Sequence, residues 1–112
     1  CPQISYALRN FIKNSECLSS SNGICTNKEV HCSITVENLG QNSGQFTIEI
    51  SFYNSQSQAI IQQFQISKEV SPNQQAIFDK SLSFQSQTEN GDANKEYDCS
   101  FKTLEVPKKS NC

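Results

Sequence analysis

Several residue types are rare or missing from this chain of 112 residues, which has no tryptophan, no methionine and one histidine. No apolar run approaches the roughly 20 residues that a membrane-spanning helix needs, so a membrane span is not expected. Acidic and basic side chains are scattered singly and give a net charge of -2. Because no basic stripe is present to neutralise phosphates, the composition also argues against nucleic-acid binding.

Catalytic groups are equally scarce. The one imidazole belongs to His31, which falls on the outward face of a predicted strand and is interpreted as a surface residue. No serine elbow, phosphate-cradling loop or pair of catalytic carboxylates can be recognised. The sequence therefore predicts a protein that is not an enzyme and takes no cofactor. A small enzyme, the alternative, would depend on His31 or Asp92.

Six cysteines are present, and they are the most informative residues: Cys1, Cys17, Cys25, Cys32, Cys99 and Cys112. An even number in a short polar chain is typical of a disulfide framework, which supports a thin core. Zinc is the alternative, but zinc sites usually draw on more closely spaced cysteine pairs than any in this chain. Disulfides form in oxidising compartments, so we expect a secreted or cell-surface protein.

The length is that of one domain, and we predict a single β-sandwich over 1–112. The chain opens on Cys1 with no signal peptide, which predicts a processed mature protein or an excised domain. A lipidated N-terminal cysteine, as in bacterial lipoproteins, is the alternative. It would leave an odd number of cysteines for pairing.

Alternation of apolar and polar residues predicts six strands and no helix. The clearest strand covers 30–37, with its even-numbered residues on the apolar face. The other strands are predicted at 4–12, 45–53, 59–68, 75–84 and 96–106. Lys80 interrupts the apolar face of its strand and predicts a bulge or a strand end near it. Residues 13–29 look like a loop that is closed on itself by Cys17 and Cys25.

Short strands separated by turns indicate an all-β fold, an antiparallel immunoglobulin-like sandwich of six to seven strands stapled by disulfides. Cys32 and Cys99 have the inward parity and the separation of the disulfide that joins the two sheets of that fold. Tyr97, two residues before the second cysteine, stands where the fold places a tyrosine corner. Many pairings are open to six cysteines. After Cys32–Cys99 we expect Cys17–Cys25 locally, and Cys1–Cys112 joining the ends.

The middle of the chain resembles the CARDB and FxLYD-type domain families. Those families show a strand ending in V-x-N-x-G, a strand ending in a Tyr-Asp-like pair and a Pro-Gly-Glu turn. The matching segments here are Val36-Glu37-Asn38-Leu39-Gly40, Phe52-Tyr53-Asn54 and Ser71-Pro72-Asn73-Gln74. The likeness covers about residues 30–84, while the six cysteines and the N-terminal third depart from it. The resemblance implies an extracellular module of immunoglobulin-like fold, often repeated, that acts in adhesion and surface assembly.

One polar segment has the residue pattern of a cation site. Oxygen-bearing side chains alternate at Asn90, Asp92, Asn94 and Glu96, as they do in calcium loops. Only two of the four are carboxylates, and Lys95 adds an opposing charge. A calcium site is therefore one interpretation of the segment, and a solvated hairpin loop with an Asn90-Gly91 turn is the other.

The strand count leaves one sandwich position unfilled. A seventh strand would have to follow Val106, where only the short stretch 107–112 remains. An open edge exposes unpaired backbone groups, and a neighbouring copy could fill it by strand addition and so build a filament. A short edge strand, or coverage of the gap by 13–29, is the alternative.

Two functions are consistent with these observations. The first is a non-enzymatic structural or adhesive module, a self-assembling subunit of a surface filament or array. The second is a discrete recognition domain that binds a protein or a glycan through the segments 13–29, 38–45 and 85–95.

Overall fold

In the computed structural model, which describes residues 5–107, the chain forms two antiparallel three-stranded sheets with the orders β1-β2-β5 and β4-β3-β6. The strands are β1 (Tyr6–Ser21), β2 (Ile24–Asn38), β3 (Gly44–Asn54), β4 (Ile60–Val70), β5 (Gln75–Gln85) and β6 (Tyr97–Glu105). One turn of 3-10 helix, Asp92–Asn94, precedes β6. Within 5–107 no helix has the length and apolar character needed to cross a membrane. The all-β antiparallel sandwich predicted from the sequence is confirmed.

The core lies between the sheets and is built by alternate residues of the two central strands. Every second residue of β2 from Val30 to Val36, and of β3 from Phe46 to Phe52, is at most 3% exposed. Successive side chains of a strand point to opposite faces, so a strand covered on one face buries every second residue. Full burial of each of these aliphatic or aromatic side chains contributes about 1.5–3 kcal/mol.

The strand order is that of an immunoglobulin-like sandwich. β1, β2 and β5 take the places of strands A, B and E, and β3 and β6 take those of C and F. β4 pairs with the other side of β3, which is the place of strand C′. In that fold a further strand, G, pairs with the free side of β6. The chain that could supply it, 108–112, lies outside the described residues.

The prediction of a loop over 13–29 is wrong. β1 continues through this segment and pairs with β2 as one long hairpin. Its two-residue turn is Asn22-Gly23, with φ values of 54° and 77°, a dipeptide suited to the positive φ that this turn requires. Residues 13–21 are exposed along their whole length. Because neither face of that stretch enters the core, its sequence does not alternate.

The bulge or strand end predicted near Lys80 is also wrong, since β5 pairs with β2 in continuous register. Lys80 lies opposite Cys32, on the inner face of an edge strand, and its Nζ lies 4.7 Å from the ring centroid of Phe64. From β4, the Nζ of Lys68 lies 5.5 Å from the ring centroid of Phe78. Inward-pointing charges on edge strands oppose pairing with another sheet, so the β4 and β5 edges are protected.

The molecule is elongated, with extents of 61 × 23 × 16 Å. β1 and β2 have 16 and 15 residues, against 11 for β3, β4 and β5. The β1–β2 turn lies at one end, which we call the hairpin end. The start of β1 and the end of β6 lie at the opposite end, the base, beside Asn38 and Thr47. The described chain therefore begins and ends at the base.

Candidate functional site

Two disulfides link described residues, and both pairings were predicted. Cys32–Cys99 joins β2 to β6 inside the core, where both residues are at most 2% exposed. Cys17–Cys25 crosses the β1–β2 hairpin near its turn, beside the register irregularity of β1. The predicted Cys1–Cys112 pair lies outside the described residues. Two disulfides fit a protein of an oxidising compartment.

Tyr97 makes the contact that defines a tyrosine corner. Its hydroxyl donates a hydrogen bond to the backbone carbonyl of Asp92 at 2.7 Å. Its ring stacks on Phe84 of the facing sheet, with centroids 3.9 Å apart. Partial burial, and then the charge of Asp92, raise the pKa of Tyr97. The hydroxyl therefore stays protonated and continues to donate.

Residues 86–95 form a compact loop at the hairpin end, between β5 and β6. The hydroxyl of the buried Ser86 accepts a hydrogen bond from the N–H of Ala93, which is fully buried. Gly91 packs against Ser86 so closely that a Cβ on the glycine would lie 2.6 Å from the serine Cβ. The glycine is thus required for close approach, and the loop has a packed interior.

The side-chain amide of Asn94 attaches this loop to the hairpin. Its Oδ1 accepts from the backbone N–H of Cys25 at 2.9 Å, and its Nδ2 donates to the carbonyl of Cys25 at 2.8 Å. The same Nδ2 lies 3.1 Å from the carbonyl oxygen of Thr88. Cys25 is therefore held by the ladder with β1, by its disulfide and by Asn94.

Two of the four residues predicted as calcium ligands, Asp92 and Asn94, have side-chain partners of their own. The amide of Asn94 is directed at Cys25, and Asp92 Oδ1 lies 3.3 Å from Lys95 Nζ. The backbone carbonyl of Glu96 accepts from the N–H of Ser55. Over the part of the chain that the structure describes, no three His, Cys, Asp or Glu side chains are grouped as metal ligands.

A polar cleft of about 540 Å³ lies between the hairpin turn and the loop 86–95. Both elements contribute to it, and Asn94 is one of the residues that join them. Its lining consists of Asn22, Gly23, Ile24, Glu89, Asn90 and Asn94.

The three segments predicted to recognise a partner do not meet. Segments 13–29 and 85–95 come together at the hairpin end and form the cleft. Segment 38–45 lies at the base, where it starts from the fully buried Asn38. The structure therefore brings two of the three predicted segments together and places the third at the opposite end.

Asn38 has a structural role at the base. Its Nδ2 donates to the carbonyls of Asn42 and Val70, both at 2.9 Å, and its Oδ1 accepts from the N–H of Gly40 at 2.9 Å. Its backbone N–H and C=O bond to the turn 71–74. The V-x-N-x-G segment and the Ser-Pro-Asn-Gln turn of the family resemblance are therefore in direct contact through this residue.

His31 lies on the flat outer face of the first sheet. Its Nδ1 is 2.7 Å from Ser81 Oγ, and its Nε2 is 4.0 Å from Asp79 Oδ2. The sequence did not single out Ser81 or Asp79, because only the β2–β5 register places them beside His31. Such cross-strand polar pairs stabilise the exposed face of a sheet, which is how we interpret the three residues.

Asp98 connects three elements on the β1/β6 side of the sandwich. Its Oδ1 accepts from the N–H of Cys99 at 2.8 Å and lies 3.0 Å from Lys13 Nζ on β1. Its Oδ2 accepts from the hydroxyl of Tyr53 at 3.2 Å. Burial acts to raise the pKa of Asp98, but the bonds from Lys13, Cys99 and Tyr53 and the charge of Lys13 outweigh it. The pKa of this carboxyl therefore lies below its usual value.

The N–H of Cys99 faces the free edge of β6. The N–H of Ser55 donates to the carbonyl of Glu96 across the β3–β6 ladder. In an antiparallel pair, successive residues of a strand alternately point their backbone N–H and C=O groups toward the paired strand and away from it. Since Glu96 bonds toward β3, the odd-numbered residues at the start of β6 direct these groups away from β3. Asp98 thus satisfies one donor that another strand would need.

No protein-family model matches this chain, and no curated protein sequence matches it significantly.

Proposed function

We propose that this chain is a non-enzymatic extracellular recognition and adhesion module that binds its partner with the hairpin end. One observation carries the proposal: the β1–β2 turn and the loop 86–95 are fastened together at the end of the molecule opposite the base. The described chain begins and ends at the base. In a molecule 61 Å long, the hairpin end is therefore held well away from the point where a neighbouring domain or anchor would join.

The hairpin end is already ordered before a partner arrives. The Cys17–Cys25 disulfide and the amide of Asn94 fix the hairpin, and the contact of Gly91 with Ser86 fixes the loop. A preformed surface loses less conformational entropy on binding, which favours affinity. Leu18, which is 50% exposed beside the disulfide, offers an apolar side chain for contact.

Two further observations support an extracellular adhesive role. Disulfides persist in oxidising compartments and are rare in the cytosol. The segments that resemble CARDB and FxLYD-type domains, families tied to adhesion, are joined in this fold through Asn38. This second support is an analogy of fold.

The proposal is tested by adhesion of protein-coated beads to cells and matrix of the source organism. Leu18→Glu places a charge on the hairpin end, and Gln65→Glu makes the same kind of change on the outer face of β4. We expect L18E to weaken adhesion about tenfold or more, as for a central contact residue, and Q65E to leave it unchanged. Equal adhesion by the two variants, with both folded, would contradict the proposal.

Self-assembly is the second candidate, and the free side of β6 is the observation that favours it. Within residues 5–107, β6 pairs only with β3, so a strand of another copy could extend that sheet. The capping of Cys99 by Asp98 opposes this pairing. Light scattering of the non-reduced protein over a concentration series, with electron microscopy, separates the two functions. Regular fibres would favour a filament subunit, whereas a constant monomer mass would exclude it.

A further inference from the structure

We infer that the cleft at the hairpin end binds a neutral oligosaccharide. This inference rests on the proposed function and names the class of ligand that the hairpin end takes. It is argued from the way the cleft is built and from the chemistry of its lining.

The floor of the cleft is rigid. Asn94 is fixed by bonds to Cys25 and to the carbonyl of Thr88, so its position does not depend on a ligand. The hairpin wall is set by the positive φ of Asn22 and Gly23. The loop wall is set by the packing of residues 86–95. A ligand therefore meets a cleft whose shape is already formed.

Three polar side chains of the lining have no hydrogen-bond partner among residues 5–107: Asn22, Glu89 and Asn90. Each amide offers two donors and an acceptor, and the carboxylate offers acceptors only. Each hydroxyl of a sugar ring can donate and accept hydrogen bonds. Two adjacent hydroxyls can therefore form two hydrogen bonds with one planar amide or carboxylate. The lining thus matches a polyhydroxylated ligand.

Other ligand classes fit the lining less well. It contains no lysine or arginine, and Glu89 repels anions, which disfavours phosphate, sulfate and acidic sugars. Ile24 is its one large apolar residue, which is too little for a lipid. A single carboxylate is a poor site for calcium, which takes six to eight oxygens. The volume, about 540 Å³, is within the range of small-molecule sites.

The lining contains no aromatic ring on which a sugar could stack. Affinity for one site therefore comes from hydrogen bonds alone and is expected to be weak, on the order of 1 mM. A weak site becomes effective when several copies act together, as they do on a surface or on a bead. The test has to use a multivalent form of the protein.

The experiment presents the biotinylated, non-reduced protein on streptavidin to a printed array of neutral, amino and acidic oligosaccharides. We expect binding to a subset of the neutral ones. Asn22→Gly removes an amide but keeps the positive φ, and Glu89→Ala removes the carboxylate altogether. Each should lower the signal about tenfold. Gln65→Ala, on the outer face of β4, is the matched control and should bind as the parent does.

Binding that is insensitive to N22G and E89A, or that is selective for acidic oligosaccharides, would overturn the inference. Periodate oxidation of the target surface in the bead assay separates it from the proposed function. If L18E abolishes adhesion but periodate does not, and the array stays blank, the hairpin end binds a protein and the oligosaccharide inference fails. If L18E leaves adhesion unchanged, the proposed function fails, whatever the array shows.

Discussion

The side chain of Asn94 bonds to both backbone polar groups of Cys25, as a residue of a neighbouring strand would. β5 ends at Gln85, and the next residue, Ser86, still donates its N–H to the carbonyl of Thr26 at 3.0 Å. The amide of Asn94 then continues this side of β2 toward the turn. A loop side chain therefore makes the hydrogen bonds to β2 that a longer β5 would make. These bonds keep the hairpin end attached to the rest of the fold.

Asn94→Ala should loosen the hairpin end without unfolding the sandwich. Each lost bond contributes about 1 kcal/mol, so amide exchange at Cys25 should accelerate about tenfold or more. Hydrogen exchange followed by NMR measures this rate for each residue. Asn14→Ala, an exposed change on β1, is the control. Unchanged exchange at Cys25 in N94A would show that the disulfide and the β1–β2 ladder hold the hairpin without Asn94.

Asp98 should make stability depend on pH in the acid range. Its folded pKa is lowered, so its contribution is fully present above the unfolded value of about 3.9 and is lost as pH falls through the folded pKa. Urea unfolding at about pH 6 and about pH 3 measures the loss. Asp98→Asn should remove part of the decrease.

Lys13→Met tests the cause of that pH dependence, because the Lys13 ammonium is the main group that lowers the pKa of Asp98. The pKa of Glu37 is also lowered, by hydrogen bonds from Gln75 and Arg9, and it acts in the same direction. The wild-type decrease should therefore persist in part in D98N. A D98N protein with the full wild-type decrease would assign the effect to other carboxyl groups.

Asn38→Ala should be among the more destabilising changes at the base. It leaves the buried carbonyl of Val70 and the partly buried N–H of Gly40 without their partner, which costs about 3 kcal/mol in the free energy of unfolding. Chemical denaturation measures the change. Asn42→Ala is a matched control, because Asn38 bonds to the backbone carbonyl of Asn42 and not to its side chain. A loss below about 1 kcal/mol in N38A would contradict the role assigned to Asn38.

The two disulfides should differ in their effect on stability. Cys32–Cys99 spans a sequence separation of 67 and Cys17–Cys25 one of 8, so in the chain-entropy model they contribute about 4.4 and about 2.5 kcal/mol. Replacing the buried pair should also leave a cavity, so it should lower the melting temperature more than replacing the exposed pair. Thermal unfolding of the two double serine variants tests this order. The reverse order would mean that the hairpin, and not the core, limits stability.

The sequence predicts the core well because burial leaves a clear pattern there. Val30 to Val36 and Phe46 to Phe52 alternate in apolar and polar residues since only one face of each strand enters the core between the sheets. Residues 13–21 could not be recognised as a strand by the same rule, because both of their faces are exposed. The Asn22-Gly23 dipeptide was the available signal for the hairpin. Because the residues on either side of it do not alternate between apolar and polar, the dipeptide was not recognised as the turn of a hairpin.

The cleft and the neighbours of His31 could not be predicted from the sequence, for a different reason. The bond between Asn94 and Cys25 joins residues far apart in the chain, and no local pattern marks either residue as a partner of the other. Ser81 and Asp79 reach His31 only through the register of β5 on β2. Long-range pairing of this kind is a property of the folded chain.

The two disulfides also determine how the molecule would carry a pulling force. Tension applied through Ser5 and Pro107 would enter at the base and run along β1 and β6. The bridge Cys17–Cys25 lets it bypass the segment 18–24, and Cys32–Cys99 lets it bypass 33–98. Both walls of the cleft lie in the bypassed segments. A module loaded in this way would keep both walls of the cleft unstretched while the segments 5–17, 25–32 and 99–107 bear the strain.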